Sequence, residues 1–238
     1  MRLLAALACS TALLVATLAP SVTTGASAEE QPTAAQQVLA EARALLTGAT
    51  GEGPAARRST GEPGAHASRE ATLVLRDLRA ALPRLGAEDR ASAQALLARP
   101  TDGRADPEGT GYSTGSKKRC RGHFCVHYVT STSDRATSGW VDKTLKVMKK
   151  VWAREVDGLG YRAPLSDGAL PRSRNGGNGK FDVYLADVGD DLLYGYCSAD
   201  FVLRDDRRRA GGYCVLDNDF STDQYGGKPG RTLAVTAA

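Results

Sequence analysis

The stretch Phe124-Cys-Val-His-Tyr-Val-Thr130 is dense in aromatic and β-branched residues, and it fixes the reading of everything after it as strand-bearing. Downstream, Trp140, Val141, Leu145, Met148, Val151, Trp152 and Val156 recur at helical spacing opposite Lys143, Lys146, Lys149 and Lys150. That pattern predicts an amphipathic helix capped near Ser138. Next comes Asn175-Gly-Gly-Asn-Gly179, read as a hairpin-type turn, and then a strand over Phe181–Ala186. Two more strands are expected at Tyr194–Leu203 and Gly212–Asp217, joined by the charged loop Arg204–Ala210. Strand, helix, three strands and a final helix start define an α+β or α/β order, and α+β is the expected class.

Residues 29–110 differ in kind from 111–238. They contain no Cys, Tyr, Phe or Trp. Val38, Leu39, Ala42, Leu45 and Leu46 repeat at helical spacing, as do Val74, Leu75, Leu78, Ala81 and Leu82, and a third helix is expected over Glu88–Ala98. Pro83 and Gly86 separate the last two. Gly48–Ala67 is rich in Gly, Pro, Ser and Thr and is expected to be disordered. The boundary with the second part is the Pro/Gly/Asp-rich run between Pro100 and Gly111. So small and aromatic-poor a segment buries little core alone, so it should lean on the second part or stay mobile. A propeptide and a helical interaction arm are the two readings.

The first 28 residues read as a secretory signal: Arg2, an apolar run from Leu3 to Leu18, and the small-residue site Ala26-Ser-Ala28. The run is short for a membrane anchor and is interrupted by Cys9, Ser10 and Thr11. A secreted, extracellular protein with no membrane partner after cleavage is the expectation. Losing Cys9 leaves four cysteines, which allow three pairings. Proximity in sequence favours Cys120 with Cys125 and Cys197 with Cys214 in an oxidising compartment. The net charge is +4, from 31 basic and 27 acidic residues. Basic groups such as Lys117-Lys-Arg-Cys-Arg121 have no interleaved aromatics, so they read as solvated faces and nucleic acid is not an expected partner.

Several constellations invite chemistry. Cys120, His123, Cys125 and His127 cluster, but on a strand the two histidines stand about 13 Å apart, too far to share a zinc ion. Arg174 and Gly176 stand where a calcium loop ending at Asn178-Gly179 needs acids. Asp217-Asn-Asp219 reads as strand-end turn chemistry, and the pair Asp190-Asp191 carries no separation from which a glycosidase could be argued. The chain has three histidines, no G-x-S-x-G and no H-E-x-x-H.

Successive blocks nevertheless carry a likeness. His123–Val129, Asn175–Asp187, Gly195-Tyr-Cys197, Gly212–Phe220 and Leu233–Ala238 resemble those of a family of secreted bacterial zinc metalloproteases, and Leu75–Arg84 with Leu97–Gly103 resembles its N-terminal region. In that family the last block runs into an H-E-x-x-H helix. The resemblance therefore implies a zincin-like fold, zinc as cofactor, a peptide or protein substrate, and metal ligands after Ala238, with no catalytic or metal-binding residue in the chain itself. Thr232 reads as the N-cap of a helix that is left unfinished and frayed. By strand order, Gly212–Asp217 resembles the edge strand that pairs with substrate in zincins, which implies Tyr213 and Val215 as cleft-lining residues. A secreted, disulfide-stapled binding module without catalysis is the alternative.

Overall fold

The computed structural model describes residues 31–47, 65–102, 109–191, 193–202 and 209–238. The signal-peptide reading, residues 48–64 of the Gly/Pro-rich stretch and most of the charged loop fall outside them. The chain divides into Met1–Gln31 and Pro32–Ala238, and every element below belongs to the second unit.

Five strands form one mixed sheet: β1 (Lys117–Arg121), β2 (Phe124–Tyr128), β3 (Phe181–Ala186), β4 (Gly195–Val202) and β5 (Ala210–Asp217). Their order is β1-β2-β3-β5-β4. The three inner strands are parallel, whereas β1 and β4 run antiparallel along the two edges. With its helices this is an α+β fold. Parallel neighbours need a crossover, and between β2 and β3 it contains α4, numbered after three helices that precede the sheet in the chain.

Alternation along the strands builds two cores. Phe124, Val126, Tyr128, Val183, Leu185 and Leu216 point to one face. There they meet Val141, Leu145 and Met148 of α4 (Ser138–Trp152), together with Leu233 of the last described helix, α6 (Pro229–Thr236), which follows the single-turn α5 (Thr222–Tyr225). Thr137 caps α4, its hydroxyl accepting from Trp140 N at 3.1 Å, one residue before the expected position. Tyr184, Ala186, Tyr196, Tyr213 and Val215 point to the other face. That face is covered by α1 (Ala34–Leu46), α2 (Ala65–Ala81) and α3 (Ala87–Leu96) through Leu39, Leu75, Leu78 and Leu96. The N-terminal helices are thus a layer of the domain, and Ala65–Ala67, expected to be disordered, open α2. At about 1.5–3 kcal/mol per fully buried aliphatic side chain, both faces need such cover.

Sequence and structure differ at three elements. Lys117–Arg121, read as a solvated basic run, is β1; an edge strand of charged residues pairs along one side while the charges discourage a second chain from adding to the other. The terminal helix starts at Pro229, with Lys228 as its N-cap, because a fixed φ suits the first helical turn; Thr232 lies inside the helix and donates to Lys228 O at 3.2 Å. The helix is docked through Leu233, which is fully buried. Asn175–Gly179 is no hairpin. Asn175 Oδ1 accepts from Gly177 N at 2.9 Å and Asn178 Oδ1 from Lys180 N at 2.7 Å, two Asx turns that deliver the chain into β3.

Beneath that loop lies a buried ionic cluster. Arg99, 2% exposed, reaches Asp167 and Asp182 at 2.5 Å each and also pairs with Asp200. Asp182 Oδ1 lies 2.8 Å from His127 Nε2. Burial works against the Arg99 charge, and the bonds to Asp200 and Asp167 outweigh it, so the guanidinium is held protonated; burial raises the Asp167 carboxyl despite Arg99. Gly176, at φ +59°, packs its backbone against the Asp182 carboxylate, where a Cβ would collide. Arg99→Met should leave three buried carboxylates without their cation and cost about 3–5 kcal/mol. The loss, read from the urea midpoint, should shrink as pH falls and the carboxyls protonate. An unchanged midpoint near neutrality would remove the cluster from its supporting role.

Candidate functional site

A large concavity lies along the first half of β4. It encloses about 790 Å³ and is lined by Tyr194–Cys197, Leu216 and Tyr225, by Lys228, Arg231, Thr232 and Val235 of the α6 segment, and by Thr72 of α2. Val235, 72% exposed, is the most open large apolar side chain on this wall. The opposite wall is rigid: Tyr194 stacks on Tyr225 at 4.8 Å, and Tyr225 donates its hydroxyl to Leu193 O at 2.6 Å. Burial first, and then the nearby Asp217 carboxylate, raise the Tyr225 phenol well above its ordinary range, so it stays a donor. On the strand itself, Cys197 N donates to Thr72 Oγ1 at 3.1 Å. Farther along, Arg79 Nη1 donates to Asp200 O at 2.9 Å. One helix therefore touches the backbone of the edge strand at two places.

Both disulfides are formed as the spacing favours, Cys120 with Cys125 and Cys197 with Cys214. Each joins residues directly opposite in an antiparallel pair, so each edge strand is stapled to its inner neighbour. Tyr213 and Val215 do not line the cleft. The strand carrying them, β5, is flanked by β3 and β4, and both side chains are fully buried against the helical layer. Tyr213 instead ties that layer to the sheet, its hydroxyl reaching Ala98 O at 2.6 Å and Leu97 O at 3.2 Å. The edge strand is β4, the strand before the expected one in sequence, because β4 and β5 pair as a hairpin and β4 is the outer of the two.

The two histidines are separated, His123 in the turn between β1 and β2 and His127 on β2. His123 stacks on Trp152 at 4.0 Å, at the end of α4, while His127 lies on the helical-layer side with Asp182 and Tyr184. Among the described residues no group of three or more His, Cys, Asp or Glu has metal-ligating geometry. Asp217-Asn-Asp219 does turn chemistry. Asp217 accepts from Gly189 N, Asp219 N and Phe220 N, and this holds Phe220 at φ +50°, an uncommon conformation for a bulky residue. Asn218 Nδ2 donates to Ser133 O and Arg135 O. No helix among the described residues is long and apolar enough to cross a membrane. No family model, curated protein or solved structure matches the chain.

Carboxylates gather at the C-terminal ends of β3 and β5. Burial, then the neighbouring Asp190 and Asp187, raise the Asp191 carboxyl to about 6, and burial raises Asp217 to about 6 despite its backbone donors. A carboxyl whose folded value lies above its unfolded one stabilises the fold in acid, and the contribution is lost as pH rises through the folded value. The window runs from about 4, the ordinary aspartate value, to about 6 for Asp191. Asp191→Asn should therefore gain about 1 kcal/mol near pH 8, after allowance for solvent screening, and almost nothing near pH 4. Thermal unfolding at the two pH values measures this; an equal gain at both would mean that the ionised Asp191 is not the source.

Proposed function

We propose that this chain is the sheet-bearing part of a secreted zinc peptidase precursor, and that its own share of the work is to hold an extended peptide along the outer side of β4. One observation carries the reading: an antiparallel edge strand opens on the 790 Å³ cavity together with the helix that follows its inner neighbour. Cys197 N and Asp200 O are already bonded to Thr72 and Arg79, so the segment is received in the cavity beside the first half of β4, whose walls take its side chains, rather than by pairing along the whole strand. Leu216 and Val235 give this cavity apolar wall, while Lys228 and Arg231 give it positive charge, a lining suited to apolar and acidic side chains. The resemblance to the secreted metallopeptidase family supports the same division of labour. The two edge disulfides and a sequence that opens like a secretory signal agree with an extracellular site of action.

The residues present do not fit a zinc site. The sequence lacks H-E-x-x-H, and His123 and His127 are committed to Trp152 and to Asp182. No hydrolytic step is therefore assigned to a residue of this chain. In such peptidases zinc activates a bound water and polarises the scissile carbonyl. The resemblance assigns its ligands, and the glutamate acting as general base, to sequence that follows the Leu233–Ala238 block. The chain alone is accordingly expected to be inactive.

The experiment is to express the protein through its natural reading frame past Ala238 and measure zinc content and hydrolysis of unfolded casein. One zinc per chain and chelator-sensitive hydrolysis are expected. Val235→Arg should raise KM about tenfold with kcat little changed, because it obstructs binding without touching the metal. A reading frame with no pair of histidines at helical spacing, and no chelator-sensitive activity, would sink the peptidase reading in favour of the binding module.

A further inference from the structure

A second cavity, of about 320 Å³, lies on the opposite side of the sheet from the β4 edge. Its lining includes Lys117 and Lys118 of β1, Arg172 and Ser173 of the turn before Asn175, Thr101, and His127 of β2. Three features separate it from an ordinary basic surface. It is concave, and no carboxylate is among its lining residues. Hydroxyl donors stand beside the cations. His127, only 3% exposed, nonetheless lines it. Lys118 lies directly across the β1–β2 ladder from His127, and its ammonium is fixed by donating to Gly176 O at 2.7 Å. The imidazole is fixed as well, by Asp182 at one nitrogen and by stacking on Tyr184 at 4.6 Å. Asp182 in turn is held by Arg99.

We infer that this cavity binds a tetrahedral oxyanion, a phosphate or sulfate either free or borne as a monoester on a small molecule. Lysine and arginine side chains make charge-assisted hydrogen bonds to such oxygens, and arginine can present two parallel donors. Serine and threonine hydroxyls supply neutral donors. A positioned imidazole with a carboxylate behind it adds a further donor whose orientation costs little to fix on binding. Carboxylate ligands would meet the same cations, but a planar group satisfies fewer of donors arriving from β1, β2 and the Arg172 turn at once. The size is at the small end of ligand cavities and suits a single substituted sugar or the bare ion. The site shares no lining residue with the β4 cleft, so it stands whether or not the peptidase reading does.

The test titrates the intact, oxidised chain with sodium sulfate and sodium phosphate at constant ionic strength, against sodium acetate. The readouts are thermal unfolding and the ring 15N resonances of His127. Saturable stabilisation by the tetrahedral anions, with a shift at His127, is the expected result. Lys118→Ala combined with Arg172→Ala removes two exposed side chains, the first on the same face of the sheet as His127, and should weaken binding by at least about tenfold. Lys149→Ala with Lys150→Ala, the same charge change on α4, should leave it intact. Tighter binding of glucose 6-phosphate or glucosamine 6-sulfate than of the bare ions would identify a monoester, and weaker binding a free ion. Equal loss in the two double variants would reduce the effect to net charge and overturn the site. So would a wild-type response without any change at His127, or acetate acting as well as sulfate.

Discussion

A single guanidinium ties the N-terminal helical layer to the sheet and to the segment before Asn175. Arg99 stands just past α3, in the part of the chain that reads as separate from the sheet, yet its side chain is completely buried among carboxylates from β3, β4 and the segment before Asn175. Taking one cation and three carboxylates out of water costs several kcal/mol per ion, and mutual attraction offsets this only with every partner in place. Such a cluster adds little net stability over an apolar replacement, but it punishes any arrangement that omits one member. Removal of the chain through Arg99 would strand Asp167, Asp182 and Asp200 and open the apolar face carrying Tyr184, Tyr213 and Val215. The N-terminal helices are thus packed as one layer of the fold. Tyr213 makes the same point with neutral groups, because its hydroxyl reaches the carbonyls of Leu97 and Ala98.

The edges of the sheet are managed in two different ways. Each outer strand is antiparallel to its neighbour and cross-linked to it by a disulfide between facing residues. Beyond that staple, β1 relies on charge, with lysines and arginines at every position but Cys120. Such a strand pairs once and discourages a second pairing. On β4 the outer side is partly taken by α2, through Thr72 and Arg79, and partly opens on the large cavity. The helical layer therefore contributes to that cavity, since Thr72 of α2 is part of its lining.

Most of the architecture was legible where hydrophobic pattern and local cysteine spacing carry the information. Phe124–Tyr128, Phe181–Ala186, the α4 stripe and the helices of the first part all follow from period and composition. What escaped depends on neighbours distant in sequence. Whether β5 is internal or an edge is decided by its pairing with β4, and nothing in Gly212–Asp217 reports that, so Tyr213 and Val215 looked equally suited to a cleft and to a core. Charged β1 has no apolar alternation to betray it. Thr232 had the residue type of a cap, but Pro229 had the stronger claim on the first turn. The ionic cluster joins positions 99, 167, 182 and 200, spread over half the chain. Its one trace in the sequence is Asp182, an acid in the middle of an otherwise apolar strand, which a buried partner has to explain.

Asp182 also connects the two ends of the molecule. One carboxylate oxygen faces Arg99 and the other faces His127, so the residue that organises the core is the same one that orients the imidazole lining the small cavity. Asp182 is shared in this way between the imidazole and the Arg99 guanidinium. Arg99 is shared in turn with Asp200 on β4, the strand whose first half lines the large cavity. A run of direct contacts, His127 to Asp182 to Arg99 to Asp200, thus reaches from the small cavity at one edge of the sheet to the strand at the other. The cluster that ties the helical layer to the sheet therefore also orients a side chain that lines the small cavity.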